Sequence, residues 1–467
     1  MKQEWQMPAR SGRSAVDAEA ASSVASDVPL PATQTTDAGS DWRSQWYPVA
    51  FVEDLPDDRP YAFTLFDQPL VLFRDAQSQW FCGEDRCPHR AARLSEGRLQ
   101  DGRLECRYHG WQFGADGTCQ HIPQWPKGRP RPEAACLKRY PVEARQGVLW
   151  VWPGSARGAD PNRIALVTDL DEPDVVVVDY ATDLPYGQSF LIENVLDVAH
   201  IHIAHDGMRG GGHRELALPL EFEILEEGSA GFRATYRSIG LPGHLASALP
   251  GRAILEFRPP NLVHYITEYR DSSLIAGLAL YSLPLGVDRC RLLYRKYSNF
   301  YSRRERRKPR WLEHLTQNEI LRQDMSLIIG QNQAIRGSDQ ALRDLWLPLK
   351  TSDTLVLRYR KWLDAHAADR PDHLGWTSRR ERPGLSDAGA EVATANTTFR
   401  LHTQQCSSCL RAHRRLGQAQ IVVLACILLA VPAMAMTTGA AQWLTAAAYG
   451  VAAAALWTLH RLRRRFE

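Results

Sequence analysis

The hydrophobic period changes several times along the chain, and each change marks a different kind of structure. From Trp46 onward, short alternating runs (Trp46 to Phe51, Ala62 to Leu65, Leu70 to Phe73, Gln79 to Cys82) are separated by turn residues such as Pro56-Asp57-Asp58. Period-two runs of this length predict a small antiparallel β domain. Gly114-Ala115-Asp116-Gly117 reads as a hairpin turn, and Val148 to Trp152 is expected to close the sheet ahead of Pro153-Gly154. An all-β domain is therefore expected over residues 42–155. After an Asp/Pro-rich connection comes a strand at Val175 to Val178, then apolar positions 191, 192, 195, 196 and 199 at helical spacing. Strands follow around 219–226, 231–237, 253–258, 263–268, 275–284 and 290–299, and then a long amphipathic helix from Arg310 to Ile335. This is an α+β pattern over residues 156–366.

The last hundred residues differ again. Residues 367–419 read as a polar linker, and Ile421 to Leu459 carries no charge over 39 residues. Pro432 and Thr437-Thr438-Gly439 divide that stretch, so residues 420–459 predict two membrane helices joined by a turn, with a basic tail at 460–467. A soluble apolar hairpin is the alternative. Basic residues flank both outer ends (Arg411, Arg414, Arg415; Arg461 to Arg465), which places both ends and the folded body on the cytosolic or stromal side.

The chain has 467 residues, enough for two or three domains with their own cores. A net charge of +3 gives no reason to expect nucleic acid as a partner. Nine unevenly spaced cysteines form no regular disulfide framework and suit a reducing compartment. Residues 1–41 are rich in Ala, Ser, Asp and Thr and are expected to be disordered. Their acids (Glu4, Asp17, Glu19, Asp27) fit a transit peptide badly, and no apolar core of a secretory signal is present.

Chemistry concentrates in three places. Cys87-Pro88-His89-Arg90 and Cys106-Arg107-Tyr108-His109-Gly110-Trp111 form two short loops, each offering one Cys and one His. Two thiolates on one iron and two imidazoles on the other are the ligands of a Rieske [2Fe–2S] centre. Zinc takes the same residue types, but zinc fingers pair Cys with Cys and His with His. Cys82 and Cys119, nearby in sequence, read as buried structural thiols. The second place is Glu193 to His205, where Asp197 and His200 are three apart on one predicted helix face and His205 stands near its end. Two imidazoles and a carboxylate make the triad of a non-haem Fe(II) oxygenase, and an unliganded Asp197 would orient an iron-bound imidazole. The third is Cys406-Ser407-Ser408-Cys409, read as a reversible dithiol because no second Cys pair stands nearby to complete a zinc site.

The two cluster loops resemble those of the Rieske-type ring oxygenases, and no extra Cys follows each loop as in cytochrome bc-type Rieske proteins. Further matches narrow the resemblance to the pheophorbide a oxygenase and chlorophyllide a oxygenase branch. They include Trp46-Tyr47-Pro48-Val49, Leu94-Ser95-Glu96-Gly97, Ile122-Pro123-Gln124, Asn194 to His205, the Cys406/Cys409 pair and the paired tail helices. The resemblance implies a helix-grip catalytic domain and selects His200 and His205 over His202 as iron ligands. It also implies Asp324 as the third ligand, with Glu319 in reserve, and Asp197 as the bridge to a cluster histidine of a neighbouring subunit in a homotrimer. The implied substrates are chlorophyll-derived tetrapyrroles and O₂, with electrons from ferredoxin. No Gly-rich dinucleotide fingerprint appears, so a separate reductase is expected. The implied location is a thylakoid or cytoplasmic membrane of a photosynthetic bacterium, or a plastid membrane.

Overall fold

The structure, a computed structural model, describes residues 41–208, 211–241, 251–271, 273–379 and 397–467. The disorder expected for the first forty residues, and most of the polar stretch after 379, lie outside these residues.

The amino-terminal half is all-β. Its strands are β1 (Tyr47–Phe51), β2 (Tyr61–Leu65), β3 (Gln68–Arg74), β4 (Trp80–Glu84), β5 (Arg98–Gln100), β6 (Arg103–Glu105), β7 (Gln112–Phe113), β8 (Cys119–His121), β9 (Arg139–Tyr140), β10 (Val142–Arg145) and β11 (Val148–Val151). They form three small sheets in the orders β1-β11-β10, β2-β3-β4-β9 and β5-β6-β7-β8. The Val148 strand thus sits in the middle of its sheet, between β1 and β10, rather than closing an edge. Both of its faces are buried, which its unbroken Val-Leu-Trp-Val run requires.

The second half is one seven-stranded antiparallel sheet, ordered β12-β18-β17-β16-β15-β14-β13. These strands are β12 (Val176–Leu184), β13 (Leu220–Gly228), β14 (Gly231–Ser238), β15 (Gly251–Arg258), β16 (Leu262–Tyr269), β17 (Ala276–Gly286) and β18 (Arg289–Ser298). Helix α1 (Gln188–Leu196) and the short α2 (Ile201–Ala204) lie between β12 and β13. The long helix α3 (Arg310–Arg336) runs from Pro309 to Gly337, with Pro and Gly where a helix begins and ends. Helix α4 (Thr354–His366) packs Leu355, Val356, Tyr359 and Leu363 into the core beneath α1.

The two halves share a core. Trp46, Phe51, Trp150 and Trp152 interlock with Leu262, Tyr281, Leu293 and Tyr297 of the large sheet. Two buried arginines of β18 fix this seam. Arg291 pairs with Asp183 of β12 and donates to the Val49 carbonyl at 3.0 Å and the Tyr61 hydroxyl at 2.6 Å. Arg295 pairs with Asp179 in two hydrogen bonds and donates to the Gln146 carbonyl. Each guanidinium meets a carboxylate of its own sheet and a carbonyl of the other half.

The tail is a helical hairpin of α5 (Ser407–Met436) and α6 (Ala440–Arg464). Arg463 near the end of α6 donates to Gln420 in α5 at 3.0 Å, so the helices run antiparallel. Of the two, α5 is long and apolar enough to cross a membrane by length and composition, with a window of mean hydropathy 2.4. The Ala-rich α6 falls short of that measure, so one of the two expected spans meets it and the other does not. The segment before α5 is no loose linker, because His402 and Thr403 are buried against β12.

Replacing Arg291 by Ala leaves the Asp183 carboxylate with the Gln405 amide but no cation at the seam, with an expected loss of about 3 kcal/mol. Urea unfolding reads this out; a loss below about 1 kcal/mol, the range of an exposed pair, contradicts the assignment.

Candidate functional site

The loops after β4 and β6 are built alike. Cys87 N donates to the Ala92 carbonyl and Ala91 N to the Cys87 carbonyl, at 2.8 and 2.9 Å. Cys106 N to Trp111 and Gly110 N to Cys106 repeat the pattern at the same distances. The fourth residue after each Cys takes positive φ (Ala91 +59°, Gly110 +73°), which turns the chain back within five residues. Both Cys side chains point into the apolar core with Phe81, Leu104 and Phe113. His89 is exposed, His109 half-buried, and their rings stand 4.4 Å apart at the tip.

The donor set fits a two-iron cluster with thiolates inward and imidazoles outward. Burial, and next to it the neighbouring Cys106, pushes the Cys87 thiol up to about 12, and a bound cation would offset both effects. Trp111 stacks on His89 at 4.7 Å, nearly parallel, and keeps a buried indole N–H with no protein acceptor. Cys82 and Cys119 are buried, as expected of structural thiols.

The second centre lies between α2 and α3. Helix α1 stops at Leu196, so Asp197 and His200 do not share a helix face as the spacing suggested. The Asp197 carboxylate accepts the N–H groups of Ala199 and His200 at 3.0 and 3.3 Å, a local competitor to helix hydrogen bonds that ends α1 and begins the next turn. His200 and His205 therefore flank α2. His205 Nε2 is 3.2 Å and His200 Nε2 3.6 Å from the same oxygen of Asp324, Oδ1. That oxygen is buried and has no hydrogen-bond donor. The three ligand atoms lie within 4.8 Å of one another, which fits a single ion held by one face of ligands.

Each imidazole is aimed by its other nitrogen. His205 Nδ1–H donates to the Gln323 side-chain carbonyl at 2.9 Å, and His200 Nδ1–H to the backbone carbonyl of Asp197. The Asp324 carboxylate beside it, with Gln323, holds the His205 pKa above its ordinary value. The Asp197 carboxylate approaches His200 Nδ1 only to 3.8 Å, so the backbone carbonyl is the nearer orienting group. Glu319 is not brought to the site and pairs with Arg322 on the outer face of α3. His202 turns away and accepts from the His213 backbone.

A cavity of about 540 Å³ opens beside His200 and Asp324, within the size range of small-molecule sites. Asp197 lies on its wall, and Leu345, Trp346, Leu347 and Pro348 form an apolar side. Leu347 is 90% exposed and Leu327 largely so, which leaves the mouth greasy. Behind the cavity, fully buried Arg360 donates to Glu193 at 2.7 Å and to the Leu374 carbonyl. Gln331 of α3 donates to the same Glu193, so α1, α3 and α4 are tied at one carboxylate.

Cys406 and Cys409 come together, and two histidines that sequence reasoning missed, His314 and His402, join them. His402 stands four residues before Cys406, a spacing visible in sequence, whereas His314 is 92 residues from Cys406 and gives no local signal.

Residues 45–141 match the Rieske [2Fe-2S] domain family, and residues 257–341 match the pheophorbide a oxygenase family. The chain is 36% identical over 342 residues to protein TIC 55, chloroplastic, of Arabidopsis thaliana, covering 72% of this chain and 62% of that protein. The chain thus spans less than two thirds of that relative's length. Pheophorbide a oxygenase, chloroplastic, of Oryza sativa subsp. japonica is 30% identical over 469 residues, 93% of this chain and 85% of that protein. The crystal structure of dicamba monooxygenase bound to dicamba shares the fold, with a TM-score of 0.55 at 20% identity over 69% of this chain and 96% of that one.

Substituting Gln323 by Leu removes the acceptor that aims His205 and is expected to weaken iron binding about 10- to 100-fold. Iron titration of the apo-protein reads this out, and unchanged affinity counts against the site as drawn. The His200→Ala protein is expected to lose its mononuclear iron while keeping the Rieske EPR signal; loss of both signals contradicts two independent centres.

Proposed function

Because the chain belongs to the pheophorbide a oxygenase branch of the Rieske-type oxygenases, we propose that it oxidises a chlorophyll-derived tetrapyrrole with O₂, using electrons from ferredoxin. The cluster supplies one-electron storage and the mononuclear iron supplies dioxygen activation when bound. The single observation that carries the reading is the convergence of His200, His205 and Asp324 at the wall of a cavity with an apolar mouth. A flat, apolar macrocycle suits Trp346, Leu347 and Pro348 on one side, while Asn194 and Gln331 offer polar contacts on the other.

The residues divide the work. Cys87 and Cys106 bury one end of the cluster site, and His89 and His109 present the other to solvent, where a second protein surface reaches it. Asp197 keeps 31% of its side chain exposed next to His200 and is the acceptor we assign to an incoming cluster histidine. That transfer is placed between chains, in a head-to-tail homotrimer, since a cluster histidine facing outward and a carboxylate facing outward complement each other. Gln323 and the Asp197 carbonyl hold the ligand tautomers, and the apolar mouth limits water at the iron.

The body is placed at a photosynthetic membrane, bacterial or plastid, on its cytosolic or stromal side. Support comes from the apolar, outward-facing Ile421, Leu429, Leu444 and Val451 of the hairpin and from the basic groups at its outer ends. A lipid-partitioned substrate would then meet the cavity without crossing bulk water.

Incubating purified protein, ferredoxin, its reductase and ¹⁸O₂ with pheophorbide a, chlorophyllide a and protochlorophyllide is expected to give one ¹⁸O-labelled product by mass spectrometry. Labelled product from none of them overturns the substrate class. Asp197→Ala is expected to cut turnover about 10- to 100-fold while leaving cluster reduction and iron content intact; undiminished turnover removes Asp197 from the electron path.

A further inference from the structure

The dithiol motif is half of a closed four-ligand set. His314 of α3, His402 before α5, Cys406 and Cys409 are each 2% exposed or less, and their ligand atoms lie within 4.8 Å of one another. His314 Nδ1 is 3.5 Å from Cys406 Sγ and 3.3 Å from Cys409 Sγ, and His402 Nε2 is 3.2 Å from Cys409 Sγ. Zinc bonds of ~2.3 Å to sulfur and ~2.0–2.1 Å to nitrogen, at a tetrahedral angle, place S and N about 3.6 Å apart. The observed separations approach that value before any ion draws the ligands into place.

The imidazoles are aimed for this use. His314 Nε2–H donates to the Asp179 carbonyl at 2.8 Å and His402 Nδ1–H to the Ala181 carbonyl at 2.6 Å, both on β12. Those bonds fix the tautomers and leave one lone pair of each ring directed at the thiols. Tyr180, between the two accepting carbonyls in sequence, stacks on His402 at 4.5 Å and meets His314 edge-on. A metal-bound imidazole anchored to a backbone carbonyl is the usual outer-shell arrangement, and a dithiol couple requires neither.

We propose that His314, His402, Cys406 and Cys409 bind one zinc ion that fastens the root of the tail hairpin to the catalytic body. Four protein ligands leave no open position, so the site is structural rather than catalytic. It joins α3, β12 and α5, and Ser407 N donates to Asp54 of the amino-terminal half at 2.8 Å. His314 stands ten residues before Asp324 on α3, about 15 Å along the axis, so the ion also steadies the helix that carries the iron's carboxylate. The reading does not depend on the substrate proposed above.

The test is metal analysis and zinc K-edge absorption spectroscopy on the full-length, detergent-solubilised protein purified without chelator. One zinc per chain is expected, with two sulfur neighbours at ~2.3 Å and two nitrogen neighbours at ~2.0–2.1 Å. His314→Ala and Cys406→Ser are each expected to lower zinc content at least about tenfold, with the Rieske EPR signal retained. If those variants do not fold, the ligand shells of the unaltered protein decide alone. Substoichiometric zinc with Cys406 and Cys409 recovered as a disulfide, or as two freely alkylated thiols, overturns the proposal. So does iron at this position, or a zinc shell other than two sulfurs and two nitrogens.

Discussion

An imidazole binds a metal only through a nitrogen that carries no proton, and a free imidazole offers either one. In the catalytic half this choice is made in advance by hydrogen bonds from the opposite ring nitrogen. His200 is held by the Asp197 carbonyl, His205 by Gln323, His314 by Asp179 and His402 by Ala181. Three of the four acceptors are backbone carbonyls, which cannot rotate away or titrate. The ligand geometry is thus inherited from β12 and from the turn after α1, and it stands or falls with those elements.

The same logic explains why the two halves are welded together. The cluster loops stand on small sheets whose strands are short. A tryptophan-rich core shared with the large sheet, and hydrogen bonds from Arg291 and Arg295 across the seam, tie the two halves together. Each guanidinium donates to a backbone carbonyl of the other half, so the seam has fixed hydrogen-bond partners as well as apolar area.

Much of this was legible in the chain itself. Alternation placed the six strands after residue 219 within a few residues, and the Cys/His loops named their own ligands because all four lie within 23 positions. The resemblance to ring oxygenases implied Asp324 over Glu319, and Asp324 is buried on α3 with His314, Asn318, Ile328 and Asn332. What was hidden depends on three-dimensional return. The break at Asp197 arises because its side chain takes backbone N–H groups that a helix would use, and periodicity alone does not register that competition. His314 reaches Cys406 only after the long helix folds back on β12, so a search confined to nearby cysteines could not complete the set. The charge-free tail gave the hairpin but not the inequality of its two helices.

The central claim is that one chain type carries an electron store and a separate iron site that work as a unit. Single-turnover chemistry tests it most directly: the chemically reduced, substrate-bound protein is mixed with O₂ without ferredoxin, and product and cluster absorbance are followed together. The expected result is product formation in step with cluster oxidation, in a fixed ratio per iron site. Product formed while the cluster stays reduced, or a cluster that oxidises without product in a protein full of iron, would contradict it.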